Sequence, residues 1–348
     1  MKYLQYVLLS VCILFFRQLS AKNVSFTFDP YVIPQMLRPG DPNSVALGIT
    51  GVAYRIGVLS PFSNPAGLAD LEHFELCYSH SPSIEYCLFE KPVKIGNQET
   101  LALAIPLPSG YTIGANFLYM NFGKEKNPLT GKEKRASIKQ FHLNVAKKIA
   151  FLYIGSSAKY LYQDYCGLIK TTSWAFDLGI RAHWDFISEA KTNGWLSVGA
   201  SVQNLGPDVN YKFDYVQDTY SQSAPKFFRL GIAGGTTGIQ KAIPTFMLTV
   251  EYQHVLNSSD YKWNHLGTGL EVRLLKHLYG QIGYNFELKE KNNTSLTGYK
   301  GLTYGFGFQT PGKISHKFPL QLELAYGQGI KIGYLDVSTV MILLNYAF

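Results

Sequence analysis

Between Thr171 and Phe186 the sequence TTSWAFDLGIRAHWDF alternates without a break. Trp174, Phe176, Leu178, Ile180, Ala182 and Trp184 take the even positions, and Ser173, Ala175, Asp177, Gly179, Arg181, His183 and Asp185 the odd ones. Successive side chains of a strand point to opposite faces, so this segment presents one apolar face and one polar face. From Trp174 to Trp184 such a strand measures about 33 Å, and at a tilt of about 42° it rises about 25 Å. That is the height of a lipid-facing band, with an indole at each border. A strand in a soluble sandwich also alternates, but over only about five or six residues.

The pattern recurs. Tyr111, Ile113, Ala115, Phe117 and Tyr119 oppose Thr112, Gly114 and Asn116; Phe246, Leu248, Val250 and Tyr252 oppose Thr249, Glu251 and Gln253; Leu320, Leu322, Leu324 and Tyr326 oppose Gln321, Glu323 and Ala325. The polar sets are too polar for a dry core, whereas a barrel lumen can hydrate them. Turn signals delimit strands at 71–80, 98–107, 111–122, 137–147, 151–162, 171–186, 195–204, 227–236, 244–254, 264–274, 279–288, 300–309, 318–327 and 335–348. The expected fold is therefore all-β, an antiparallel transmembrane β-barrel of about 14 strands. Its loops fall alternately long (123–136, 163–170, 205–226, 256–263, 289–299) and short, as in barrels with long loops outside and short turns in the periplasm. On the polar face the candidates to line the lumen are Asp177, Arg181, His183, Glu251 and Glu323, and Gly179 reads as a tolerant position beside them.

Composition changes this picture little. The chain is 46% hydrophobic, 14% aromatic and 16% charged, which excludes a disordered protein. Its mean hydropathy of -0.02 suits a wall that needs only half its strand residues apolar. Residues 1–21 read as a signal peptide, with Lys2, an apolar centre from Tyr6 to Phe16, and Leu19-Ser20-Ala21 at the cleavage site; lipid attachment at Cys12 is the weaker alternative. Export leaves Cys77, Cys87 and Cys166, an odd number, with which a single Cys87–Cys166 bridge is compatible. The formal charge of +8 is spread among acids rather than gathered in a stripe, so no nucleic-acid partner is expected. No cofactor or metal site is expected either. Asp177, His183 and Asp185 share one strand face, but residues two apart on a strand stand about 6.6 Å apart, so a polar lumen lining explains them better than a hydrolase does.

Two motifs carry a resemblance. SVALGITGVAYRIGVLSPFSNPAGLAD, Ser44 to Asp70, followed by LEHFELCYSH, resembles the N-terminal region of FadL-type long-chain fatty-acid transporters and the related PorV and PorQ barrels; SVQNLGPDVNY, Ser201 to Tyr211, resembles the PorV-type run at a strand end. The resemblance implies that residues 22–70 form a plug, left through Asn64, Pro65, Ala66 and Gly67, and that 71–348 form the barrel. Where relatives often carry an acidic pair, this chain has Ile56-Gly57. Physically, Asn64 can cap a turn, Pro65 fixes its own φ, and Gly67 permits a tight reversal. The last strand, with Tyr346 and terminal Phe348, looks like the signal read by the barrel-assembly machinery. The implied function is transport of a hydrophobic ligand such as a long-chain fatty acid across the outer membrane of a diderm bacterium, with outer-membrane lipid as surroundings. The alternative is a PorV-like barrel that docks or shuttles exported proteins, using the loop Gly206 to Lys226 with Tyr211, Phe213, Tyr215, Tyr220 and neighbouring Phe227. No enzymatic activity is expected.

Overall fold

The computed structural model describes residues 41–88, 91–127, 130–186, 192–213, 219–238, 244–256, 264–275, 277–288, 300–310, 320–329 and 338–346. The expected signal peptide, the first part of the expected plug and Phe348 lie outside the described residues, as does the side chain of Cys87 and with it the Cys87–Cys166 pairing.

Strands dominate: β1 (Phe74–Leu88), β2 (Lys91–Pro106), β3 (Tyr111–Lys126), β4 (Glu133–Ile149), β5 (Leu152–Tyr165), β6 (Ile169–Phe186), β7 (Thr192–Leu205), β8 (Val209–Phe213), β9 (Thr219–Gln222), β10 (Phe227–Gly238), β11 (Thr245–Val255), β12 (Asn264–Leu274), β13 (Leu278–Glu287), β14 (Gly301–Gln309), β15 (Leu320–Gln328) and β16 (Ser338–Tyr346). Each wall strand pairs antiparallel with the next, β7 passing directly to β10, and β1 closes on β16 from Phe74↔Tyr346 to His80↔Val340. The result is a closed barrel of 14 wall strands, each of which overlaps one of the segments marked by the alternation.

The wall is inverted relative to a soluble protein. Along β6 the even residues Trp174 to Ile180 are exposed on the outside, Leu178 at 53%, while Asp177 among them and Arg181 just beyond are buried. Leu101, Phe117, Leu143, Leu248, Ile282 and Leu302 repeat the pattern around the circumference. An apolar exterior on a closed sheet with no free edge in the wall is what lipid demands of strands.

The structure departs from the sequence reading at the loop end. The expected loop 205–226 contains a hairpin, β8 and β9, that extends the sheet from β6 through Ile169↔Phe213. The expected loop 163–170 is a tight turn instead, made possible by left-handed Cys166 (φ 53°) and Gly167 (φ 73°). The loop 123–136 shortens because β3 and β4 keep pairing as far as Lys126↔Glu133.

Candidate functional site

Residues 41–70 line the inside of the barrel. Asp41 caps a short helix, α1 (Pro42–Ala46), accepting from the Asn43 amide at 3.1 Å and the Ser44 hydroxyl at 2.9 Å, with Pro42 pre-set at its first turn. Asp41 also holds Arg55 at 2.5 Å. Burial alone would lower the Arg55 pKa, but Asp41 and Glu323 more than offset it, so the guanidinium stays charged. Helix α1 ends where Gly48 and Ile49 turn left-handed, and the chain then runs through Ser60–Phe62 into a second 3-10 turn, Pro65–Asp70.

The wall makes room for this backbone with glycine. Four cross-strand pairs, Gly305↔Gly327, Gly269↔Gly283, Gly199↔Gly231 and Gly155↔Gly179, lie on the inner face. A Cβ at Gly327 or Gly305 would collide with Pro42 or Ala46, one at Gly269 or Gly283 with Leu47, one at Gly199 or Gly231 with Val52, and one at Gly155 or Gly179 with Asn64 to Ala66. The plug thus walks around the circumference from β15 to β5 on a track of absent side chains. These glycines sit on the polar face of the alternation, and that placement was the signal available in the sequence. It also overturns the reading of Gly179 as tolerant.

Between the glycines, wall side chains bond plug backbone. Glu251 accepts from the amides of Gly51 and Val52 at 2.7 and 2.8 Å and from Arg229 Nε at 2.5 Å. Arg229 in turn reaches the Ile49 carbonyl at 3.0 Å. Ser197, Ser201 and Asn116 donate to the carbonyls of Ala53, Ser63 and Val58 at 2.6, 2.8 and 2.9 Å. Glu323 accepts from Tyr279 at 2.6 Å and Asn43 at 3.3 Å. Asp177 pairs with buried Lys159 at 2.6 Å and caps the amide of Asn204, whose left-handed φ of 61° marks a bulge where β7 leaves β6. That asparagine belongs to the SVQNLGP run. Arg181 holds Asp70 at 2.6 Å. The lumen face at this level is thus occupied by plug backbone where a hydrated lining was expected.

His183 and Asp185 approach to 3.3 Å, closer than strand spacing alone suggested, because their side chains splay toward one another. The nearest hydroxyl in register, Ser197, donates to the carbonyls of Ala53 and Ala182, not to the imidazole.

The Asn64–Gly67 motif is a knot of these contacts. Asn64 Oδ1 caps the 3-10 turn through Ala66 N at 3.0 Å, while its Nδ2 donates to Val52 O at 2.7 Å and to Ile180 O of β6 at 3.0 Å. Gly67 has no positive φ; it is required because a Cβ there would strike the Arg55 carbonyl, so close packing replaces the expected tight reversal. Tyr346 pairs with Phe74 and Leu320 at the closing seam.

Towards the loop end the inner face turns apolar. Leu118, Met120 and Phe122 of β3, Ile138 of β4 and Leu161 and Tyr165 of β5 join Val209 and Tyr211 of the hairpin in one buried cluster, with plug residue Phe62 packed against it from below.

No protein-family model and no curated protein matches the chain, but solved structures do. The crystal structure of the Pseudomonas putida toluene transporter TodX aligns over 93% of this chain and 99% of its own, with 12% identity and a TM-score of 0.51. A TodX deltaS2S3 mutant monoaromatic hydrocarbon channel aligns over 88% and 97%, with 12% identity and a TM-score of 0.50. At that identity the likeness is one of fold: this chain has the closed 14-strand architecture of those barrels, as the alternation predicted.

Proposed function

We propose that this barrel passes small hydrophobic molecules across the outer membrane of a diderm bacterium, with the segment 41–70 as its gate. The observation that carries the reading is the apolar cluster on the loop side of the plug, floored by Phe62 and roofed by the β8–β9 hairpin. An inner face lined with apolar side chains rather than water suits a hydrocarbon that a water-filled pore would reject. A structural neighbour described as a toluene transporter supports the same reading. Within it, an uncharged cargo is favoured over a fatty-acid anion, because Lys159, Arg181 and Arg229 are each already paired with an acid. The test is uptake of labelled toluene and labelled oleate by cells with no barrel, the wild type, or Asn64-Pro65→Ala-Ala. The reading expects toluene entry to depend on the barrel and to change in the plug variant; equal uptake in all three strains defeats it.

A second reading, a PorV-like docking barrel, draws on β9, which ends the extended sheet with one edge unpaired among the described residues and so could accept a strand from an exported protein. Shortening 206–226 should then deplete surface proteins with uptake untouched; an unaltered surface census counts against it.

A further inference from the structure

On the outside of the wall, β4, β5 and β6 surround one small residue with large ones. In register, Leu143 opposes Ala158 and Ala158 opposes Phe176; one exposed position nearer the loops, Phe141 opposes Tyr160 and Tyr160 opposes Trp174. All five large side chains are exposed, and the missing bulk at Ala158 leaves a cleft of about 230 Å³ between them. Exposed apolar residues are ordinary on a lipid-facing wall; here they border a concavity. A cleft offers an acyl chain contacts on several sides where a flat wall offers one, and an apolar cavity of about 150 Å³ is already large enough for a benzene ring.

The rim of this cleft is charged. Lys139 lies two residues loopward of Phe141 on the same face of β4, exposed, with its ammonium 5.8 Å from the Tyr162 ring centre. Further up that face Arg135 stands directly across the ladder from Lys124. Like charges opposed across a ladder destabilise a sheet unless an anion lies between or above them. Of the acids near Lys139, Asp164 accepts from the Gly167 amide at 2.7 Å and Glu99 is held by Tyr78 and His80, while Glu133, two residues beyond Arg135, stands in register with Lys126. Phosphate is the anion that membrane lipid presents at the level of an aromatic belt.

We propose that this face seats one phosphate-bearing membrane lipid, an acyl chain lying in the cleft over Ala158 and the headgroup phosphate at Lys139, with Arg135 and Lys124 extending the cationic patch. The site faces the bilayer, not the lumen, and stands whether or not the barrel transports hydrocarbons.

The test is native mass spectrometry of the full barrel extracted from vesicles of equal phosphatidylglycerol and phosphatidylcholine. Wild type should retain one phosphatidylglycerol in preference to phosphatidylcholine. Ala158→Trp, which fills the cleft from the lipid side, should abolish retention of either lipid while the barrel keeps its heat-modifiable migration. Lys139→Gln should leave the cleft intact and reduce the preference for the anionic lipid about fivefold, the effect of one cation near a charged headgroup. Equal retention of both lipids by the wild type, or undiminished retention by Ala158→Trp, overturns the proposal.

Discussion

The lumen has two levels, built on opposite principles. At the plug level the wall supplies paired glycines and polar side chains while the plug supplies backbone, so that Glu251, Arg229, Ser197, Ser201 and Asn116 each meet an amide or carbonyl. At the loop level Leu118, Met120, Leu161 and Tyr165 meet Val209 and Tyr211 by packing. Directed bonds between buried groups enforce one arrangement, because each bond left unmade strands a polar atom away from water. Apolar packing is non-directional and tolerates substitution of similar volume. The plug is therefore fixed by directed bonds at one level, while the other level is held by packing that tolerates exchange of similar side chains.

The largest effect should come from Glu251→Ala. It strips buried Arg229 of its partner and leaves two plug amides unbonded, a loss of about 3–5 kcal/mol for a buried pair broken on one side. Denaturant unfolding in bilayers should show that loss, and amide exchange at Gly51 and Val52 should accelerate. Met120→Leu in the loop-level cluster, a swap of similar volume, should cost less than about 1.5 kcal/mol. Similar losses for the two would erase the distinction between levels.

Next come two neighbours on β6. Leu178→Arg puts a charge on the lipid face and should cost about 2–4 kcal/mol. Gly179→Ser, on the other face, drives a Cβ into Asn64 and to 2.8 Å from Pro65 Cδ, and overpacking of that kind costs about 1–3 kcal/mol. The readouts should differ: Leu178→Arg lowers the yield of folded barrel, while Gly179→Ser leaves the barrel closed and opens residues 41–70 to protease. Gly280→Ser, whose Cβ would meet nothing within 4 Å, is the silent control. Protease resistance in Gly179→Ser equal to that control would mean the glycine track does not seat the plug.

These glycines mark the limit of what the sequence discloses. Alternation over ten or so residues is a local signal, and it is written into each wall strand from Phe74 to Tyr346. Asn64 was legible as a cap for the same reason, since its bond to Ala66 N spans two residues. The meeting of Glu251 with Gly51 spans 200 residues and leaves no local trace. Glycine at an inward position reads as a gap in a polar face until the backbone that fills it is known. The β8 strand was missed because Val209–Phe213 is too short for its alternation to stand out from a loop.

A smaller effect should separate the two jobs of Asn64. Asn64→Ala removes the cap, at about 0.5–2 kcal/mol, together with the ties to Val52 and Ile180. Asn64→Asp keeps an oxygen for Ala66 N but has no amide to donate to the two carbonyls. Exchange at Ala66 should recover in the aspartate variant while the plug stays loosened from β6. Full recovery in both respects would show that the ties to the wall are dispensable.

The smallest effect concerns acid. Burial pushes the Asp70 carboxyl up, but Arg181 at 2.6 Å, with Lys148 at 3.5 Å and a hydrogen bond to Tyr153, outweighs burial and holds it below the usual range. A carboxyl whose folded pKa is depressed contributes stability that is complete above its unfolded value, about 3.9, and is lost as pH falls through the lower folded value. The tie between the end of the plug and β6 should therefore hold unchanged from neutral pH down to about 4 and slacken only below that. Protease sensitivity of residues 65–70 measured at pH 7, 5 and 3 tests this, with Asp70→Asn expected to be loosened equally at all three. Loosening of the wild type already at pH 5 would mean that another group governs the tie.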